Sequence, residues 1–217
     1  MVVDDPSVKK NIRLIVLIVS VFAVLTIGSV AKKLSGPRIL NIYQLRDYGV
    51  IMLEEPSSLG DFALMDTNGQ AFGSEQLQGL WTMVFFGFSS CVDTCSTTMA
   101  ELADMYKALE PDERADLNIV MVTVDPERDT PEALAQYLSR FNPDFLGLRG
   151  SHAELTSFAK QLYVAYEPEL GKKGNYQVTH SGNLMLINPE GKLQGYVRPP
   201  FAHGSLRVAW RSIRETF

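Results

Sequence analysis

Thiol and imidazole groups are scarce in this 217-residue chain, which has two cysteines and three histidines. A structural zinc site would need a fourth strong ligand, and there is no third cysteine to supply one. Repeats and low-complexity segments are absent, and the share of apolar and charged residues is that of a globular protein, which argues against disorder. The chemistry of the chain must therefore come from a small set of side chains.

Clustered basic residues are also missing from most of the chain. Residues 1–54 carry a formal charge of +3, which leaves −8 for residues 55–217. Nucleic-acid binding depends on clustered Lys and Arg, so we expect no nucleic-acid partner. An acidic body is soluble, and it also suits a cation or a cationic partner.

Charge is absent altogether from residues 14–31, a run of 18 residues with basic residues on both sides. As a helix this run would span about 27 Å, which is enough for the hydrocarbon core of a bilayer. Small residues at 29–31 would also suit cleavage of a signal peptide, but the apolar core of such peptides is usually about 7–15 residues long. We predict an uncleaved transmembrane anchor over 14–31, preceded by a short segment, 1–13, with the rest of the chain exported.

The remainder divides into a tether and lead-in, 32–57, and one domain, 58–217. A β-hairpin is predicted around Asn68-Gly69, because this pair favours the positive φ angles of a tight turn. Strands and helices then alternate before a final hairpin and helix, which predicts an α/β domain with a central mixed sheet and helices on both faces. The predicted strands are 81–88, 117–124, 183–188 and 193–197, and the predicted helices are 97–109, 129 or 130 to 141, 151–163 and 205–215.

Cys91 and Cys95 are four positions apart, between the strand 81–88 and a stretch of helical periodicity. On a helical turn these positions share one face, with Cα atoms about 6 Å apart, which a disulfide accepts. The positive end of a helix also lowers the pKa of a thiol and raises its affinity for metals. The pair therefore indicates redox chemistry, a soft metal, or both, against the alternative of two small buried apolar residues.

Two thiolates and one imidazole would form a set of ligands that suits copper in either oxidation state. His180 lies just before the strand 183–188, whereas His152 and His203 lie beside expected helix caps, where a solvated histidine is the simplest interpretation. Residue chemistry alone does not select one of them. A thiol–disulfide oxidoreductase would need no histidine at all. A peroxidatic thiol enzyme is disfavoured, because the Pro and Thr expected before its reactive cysteine are absent.

Three charged residues after the second strong strand have two interpretations. Asp125, Arg128 and Asp129 are expected to cap a helix and to form an ion pair within their own loop, and the alternative is a role beside the cysteine loop. Met99 lies one helical turn after Cys95, where core packing is the simpler expectation and a weak thioether ligand is the alternative.

Four stretches together resemble the Sco (SenC-like) family of membrane-anchored copper-binding proteins: GDFALMDTNGQAF, FFGFSSCVDTC, MVTVDPERDTPEALAQYLSRFNPDFLGLRG and VTHSGNLMLINPEGKL. The likeness covers about residues 58–215. It implies a thioredoxin-like fold, one copper ion per chain, Cu(I) and/or Cu(II), and Cys91, Cys95 and His180 as its ligands. It also implies that the two cysteines are a redox-active pair.

The same resemblance implies a function in assembling the dinuclear copper site of a cytochrome oxidase, by metal transfer, thiol reduction or both. Such a protein is a metallochaperone more than an enzyme. Its expected partners are the copper-site subunit of the oxidase, or another cuproprotein, and a thioredoxin-like reductant. The expected location is a bacterial-type inner membrane, crossed once, with the domain in the periplasm or the equivalent intermembrane space. The alternative is a thiol–disulfide oxidoreductase or redox sensor with little role for copper.

Overall fold

The chain divides into two units, Met1–Arg38 and Ile39–Phe217, in a computed structural model that describes residues 6–34, 39–91, 93–167, 178 and 180–217. The first unit is one helix, α1, Pro6–Leu34. Within it, Lys9–Val30 has a mean hydropathy of 2.4, so by length and composition this helix could cross a membrane. Residues 35–38 of the expected tether lie outside the described part of the chain.

One mixed sheet organises the second unit. Among the described residues it has eight strands in the order β1-β8-β7-β4-β5-β6-β2-β3, with β4, β5 and β6 parallel and the other pairs antiparallel. This arrangement confirms the predicted mixed sheet and the hairpin in front of it. The strands are β1 Val50–Ser58, β2 Leu64–Asp66, β3 Ala71–Phe72, β4 Trp81–Gly87, β5 Leu117–Thr123, β6 Leu146–Arg149, β7 Leu184–Ile187 and β8 Lys192–Val197.

Six α-helices accompany the sheet in the described part of this unit. Two of them begin at polar caps that the sequence predicts: the hydroxyl of Thr130 accepts the amide of Ala133, and Ser151 forms a capping box with Glu154. The helices are α2 Ile42–Asp47, α3 Thr94–Lys107, α4 Pro111–Ala115, α5 Pro131–Ser139, α6 His152–Gln161 and α7 His203–Thr216, with a short 3-10 helix at Ser74–Leu77.

The central strands explain where a site can form. All residues of β4 and β7 are buried, as expected for strands covered on both faces. These strands run antiparallel, with Phe85 opposite Leu184. The segment that follows β4 and the segment that precedes β7 therefore meet at the same edge of the sheet. That edge receives both cysteines and His180.

The sheet begins earlier than the sequence suggests. β1 lies within the segment expected to be a lead-in, and it pairs with β8 from Val50 to Ser58 with a shift of register between Met52 and Ser57. Glu54, Glu55 and Pro56 fall in that shift, and such residues hide a strand in the sequence because they interrupt its apolar pattern. β6 and α4 were also not predicted, because each has only four or five residues.

Candidate metal and redox site

His180 and the cysteines meet at the end of the sheet, although 85 positions separate His180 from Cys95. The Cys95 Sγ atom lies 3.9 Å from His180 Nε2. A bridge between Tyr166 and His180 holds the segment before β7 in place, and the amide of Ser181 donates to the carbonyl of Ala165 over 3.0 Å. The structure thus brings two of the three predicted ligands directly together.

The hydrogen bonding of His180 fixes which nitrogen faces the sulfur. Its Nδ1 atom lies 3.0 Å from the carbonyl oxygen of Ser181, which can only accept, so Nδ1 carries the proton. In the neutral ring Nε2 then has a free lone pair, directed to Cys95. Burial lowers the pKa of His180 below its usual 6.5, and the bond to Ser181 opposes this only in part, so the ring is neutral at pH 7. This is the form that binds metals.

The separation of sulfur and nitrogen is close to the span of one metal ion. Bonds of about 2.3 Å to sulfur and about 2.0 Å to nitrogen, set at about 120°, place those two atoms about 3.7 Å apart. The observed 3.9 Å therefore needs little adjustment to hold an ion. Within the described residues, no three His, Cys, Asp or Glu side chains lie close enough together to hold a metal ion, so Cys91 would have to move toward Cys95 and His180 to complete a three-ligand site.

The two cysteines have different environments. Both are free thiols, Cys95 is fully buried in the first turn of α3, and Cys91 is partly exposed just before that helix. The backbone amide of Cys95 points to Cys91 Sγ over 3.4 Å. Burial, and then the neighbouring Cys91, raise the pKa of the Cys95 thiol. Burial thus acts on the pKa of Cys95 in the direction opposite to the lowering that the helix terminus is expected to produce.

Aromatic rings set the orientation of the imidazole. Phe85 and Phe88 each contact His180 edge-on, with ring centroids 6.2 Å away in both cases. Gly87 lies between them at the end of β4, where an added Cβ would come within 3.2 Å of Cys95 Sγ and 2.7 Å of the Phe85 ring. Only glycine leaves room there for the sulfur and the ring together.

A buried carboxylate holds the loop that leads to the cysteines. Asp129 accepts the amide of Ser89 over 3.2 Å, the hydroxyl of Ser89, and the hydroxyl of Thr123 over 2.6 Å. Asp129 is fully buried, and this desolvation raises the pKa of its carboxyl even though these hydrogen bonds lower it. Thr130, and not Asp129, caps α5. Of the two predicted caps, Asp129 and Thr130, the helix uses Thr130, and Asp129 instead has the alternative role beside the cysteine loop.

The neighbouring charges behave as predicted. Asp125 and Arg128 form an ion pair within their own loop. The guanidinium of Arg128 also lies over the Phe88 ring, 5.4 Å from its centroid, so the loop touches the ring that contacts His180. The sequence feature that indicates this contact between the Asp125–Asp129 loop and the site is the position of the loop directly after β5. The ends of the parallel strands β4 and β5 lie at the same edge of the sheet.

The other candidate ligands named from the sequence, Met99, His203 and His152, have contacts of their own. Met99 is buried in the core, as expected. His203 is exposed at the start of α7 and contacts Glu101. His152 is not simply solvated: its Nδ1 atom lies 2.7 Å from the hydroxyl of Tyr166, the residue that pairs with His180.

Tyr137 is a residue near the site that the sequence did not indicate. Its buried hydroxyl has no hydrogen-bond partner among the described residues. Burial, followed by the charges of both cysteines, raises the pKa of this hydroxyl.

Comparison with known proteins agrees with this geometry. The SCO1/SenC family model matches residues 52–211. A Stutzerimonas stutzeri protein named for copper binding is 39% identical over 151 residues, covering 70% of this chain and 74% of that protein. Yeast Sco1 with copper bound is 31% identical with a TM-score of 0.65, covering 74% of this chain and 88% of that structure. Apo Sco1 from Thermus thermophilus is 31% identical with a TM-score of 0.68, covering 83% and 99%.

These similarities confirm the thioredoxin-like fold and copper binding as a property of the relatives. The family model covers well over half of the chain, and it includes both cysteines, the Asp125–Asp129 loop and His180. The chain belongs to the SCO1/SenC family.

Proposed function

We propose that the protein binds one copper ion through Cys91, Cys95 and His180 and transfers it to the dinuclear copper site of a cytochrome oxidase subunit. The observation that carries this proposal is the approach of His180 Nε2 to Cys95 Sγ, with the proton of the ring already committed to Nδ1. A redox pair alone would not need a neutral imidazole with its lone pair directed to one sulfur. Thiolate and imidazole ligands suit copper in both oxidation states.

Cys91 completes the set in this proposal. Its sulfur is beside the amide of Cys95, so both thiols belong to one turn of the chain, and Cys91 is the more exposed of the two. Copper binding displaces protons from the thiols, because only thiolates are ligands. Cys91 is then the ligand that a partner protein reaches first.

The helix α1 supports a membrane-anchored protein. Its span Lys9–Val30 is long and apolar enough to cross a bilayer once, and we place the second unit in the periplasm or an equivalent compartment. There the copper site would face the same aqueous side as the exported copper domain of an oxidase. A thioredoxin-like reductant would be required to keep the two thiols reduced in such an oxidising compartment.

Anaerobic copper titration of the full-length, detergent-solubilised and fully reduced protein tests the proposal. X-ray absorption should count two sulfur ligands and one nitrogen ligand per copper ion. His180→Ala should remove the nitrogen ligand and the tight binding, while the midpoint potential of the cysteine pair stays nearly unchanged. Equal copper affinity in this variant and in the natural protein would refute the ligand set.

A second function, reduction of a partner's disulfide, is favoured by one contact. The amide of Cys95 points to Cys91 Sγ, so a hydrogen-bond donor of the helix faces the accessible sulfur. Cys91 would attack the partner's disulfide and form a mixed disulfide. Cys95 would then attack Cys91 and release the reduced partner, with the two electrons supplied by oxidation of this pair. A Cys95→Ser variant that accumulates the mixed disulfide would identify this reaction.

A further inference from the structure

A groove of about 260 Å³ runs along the first turns of α3. One wall is polar and includes Asp93, Thr97 and Glu101, which recur at intervals of four residues and so share one face of the helix. The other wall is the apolar segment between β8 and α7, with Pro200 and Phe201. Neither cysteine lines the groove, but Asp93 follows the partly exposed Cys91 by two residues, so one end of the groove lies near that thiol in the chain.

The charge of the groove has one sign. Both ionic side chains that line it are acidic, and the described residues of its walls include no Lys or Arg. Asp93 is exposed and makes no capping bond to α3, so its carboxylate faces solvent. Glu101 is held in place by the amide of His203 over 2.5 Å and by the ring of His203 over 3.0 Å. The groove thus presents one exposed and one fixed carboxylate.

The dimensions of the groove limit what it can hold. The eight residue-to-residue steps from the cap Asp93 to Glu101 extend about 12 Å along the helix axis. An extended peptide rises about 3.3 Å per residue, so three or four residues of such a chain fill this length. The Pro200 and Phe201 wall can cover the aliphatic stem of a long side chain whose charged end reaches a carboxylate.

We infer that this groove docks the protein that accepts the copper, through a short extended segment with a Lys or Arg next to that protein's own copper-binding cysteines. The inference rests on the proposed function. Charge complementarity supports this occupant, because the groove is acidic and residues 55–217 carry a formal charge of −8. A basic residue paired with Asp93 would bring the neighbouring thiol of the partner to Cys91.

The transfer that follows is an exchange of ligands. Each bond from Cu(I) to a sulfur of this chain would be replaced by a bond to a sulfur of the partner, and the bond to His180 Nε2 by a bond to a further ligand of the partner, while protons move from the partner's thiols to the thiols left behind. The oxidation state of copper does not change. The groove contributes only the position of the partner and the rate of encounter.

A series of charges at Thr97 tests the groove. Thr97 is exposed in the middle of the acidic wall. The probe is the soluble copper-site domain of a cytochrome oxidase subunit, reduced, and the measurement is its second-order rate of copper uptake from the Cu(I)-loaded full-length protein at low and high salt. We expect Thr97→Lys to slow transfer about three- to tenfold at low salt, Thr97→Gln to change it little, and Thr97→Glu to accelerate it.

The sign of the effect separates docking from damage. A structural defect would slow all three variants in the same direction, and that result would overturn the inference. A double variant Asp93→Asn, Glu101→Gln should slow transfer while copper affinity stays within about twofold. Its matched control, Asp61→Asn with Glu75→Gln, removes the same charge from a separate cavity beside β2 and β3 and should leave the rate unchanged.

The outcomes also separate the two proposals. Copper transfer by the natural protein with equal rates across the Thr97 series would overturn the groove and leave the proposed function standing. Failure of the natural protein to bind copper or to transfer it would overturn the proposed function and the groove with it.

Discussion

Asp129 accepts hydrogen bonds from both the amide and the hydroxyl of Ser89, two residues before Cys91. The carboxylate is buried, so it is part of the interior, while the loop that it holds reaches the surface. The cysteine loop is therefore fixed at its base by one side chain from the neighbouring strand connection.

Replacement of Asp129 should loosen this loop. Asp129→Ala leaves the Ser89 amide and the Thr123 hydroxyl without their acceptor, which should cost about 2–3 kcal/mol of stability and change the potential of the cysteine pair. Asp129→Asn keeps the shape and one acceptor oxygen and should cost less. Urea unfolding of the reduced, copper-free protein measures the loss. A double-mutant cycle with Ser89→Ala should give a coupling of about 1 kcal/mol or more, and strict additivity would contradict a direct role for this contact.

Gly87 should not tolerate a methyl group. In Gly87→Ala the new Cβ would lie 3.2 Å from Cys95 Sγ and 2.7 Å from the ring of Phe85. We expect a destabilisation of about 1–3 kcal/mol and weaker copper binding, because the sulfur and the ring that orients His180 must both move. Thermal unfolding and copper titration measure the two effects. Gly69→Ala is a control for strain, since its Cβ meets nothing within 4 Å although its φ of +76° disfavours alanine. Normal copper affinity in Gly87→Ala would refute the packing argument.

The unfolding free energy of the copper-free protein should fall as the pH drops below about 6.5, the usual pKa of histidine. Burial lowers the pKa of His180 in the folded state below its usual 6.5, so the folded protein binds this proton less well than the unfolded chain. The contribution of His180 is complete above about pH 6.5 and is lost as the pH falls toward the lowered pKa. A tenfold weaker affinity of the folded state for this proton corresponds to about 1.4 kcal/mol of unfolding free energy.

The comparison of the natural protein with His180→Gln isolates this effect, because glutamine does not titrate. Urea midpoints at pH 7.5 and pH 5.5 should fall more for the natural protein than for the variant. Parallel losses in the two proteins would show that His180 is not buried in neutral form.

The two cysteines should react with alkylating agents in a fixed order. Cys91 is partly exposed, whereas Cys95 is fully buried and its burial raises the thiol pKa. Limiting iodoacetamide at pH 7 should label Cys91 first, with Cys95 at least tenfold slower, as measured by mass spectrometry of peptides. Unfolding in urea should equalise the rates, and equal rates in the folded protein would contradict the burial of Cys95.

The long central strands were predictable because strands that are buried on both faces have continuous apolar sequences. β4 and β5 are each seven residues long and agree with the predicted strands to within one residue at their ends. α5 begins at the expected position, since Thr130 and Pro131 are a cap and a first-turn residue. β1 was not predicted, because Glu54, Glu55 and Pro56 break its pattern, and a tertiary pairing with β8 compensates for them.

The site was only partly predictable for a different reason. The spacing of Cys91 and Cys95 is local and visible in the sequence, but α3 begins at Thr94, three residues before the predicted start, so that Cys95 lies in its first turn. The convergence of His180 depends on the antiparallel pairing of β4 with β7, which no periodicity specifies, so only family resemblance selected it. The burial that raises the pKa of Cys95, and the contact of Asp129 with Ser89, depend on the packed interior in the same way.

The amide of Cys95 points to a sulfur instead of to a capping oxygen, and this gives the protein a built-in spectroscopic reporter. A bond from Cys91 Sγ to copper or to another sulfur changes the electron density of this acceptor, and with it the environment of this one N–H group. Its proton resonance and its rate of hydrogen exchange therefore register the state of the loop without any attached label. The first turn of α3 would reveal loading, oxidation and release as three distinct signals from a single backbone position.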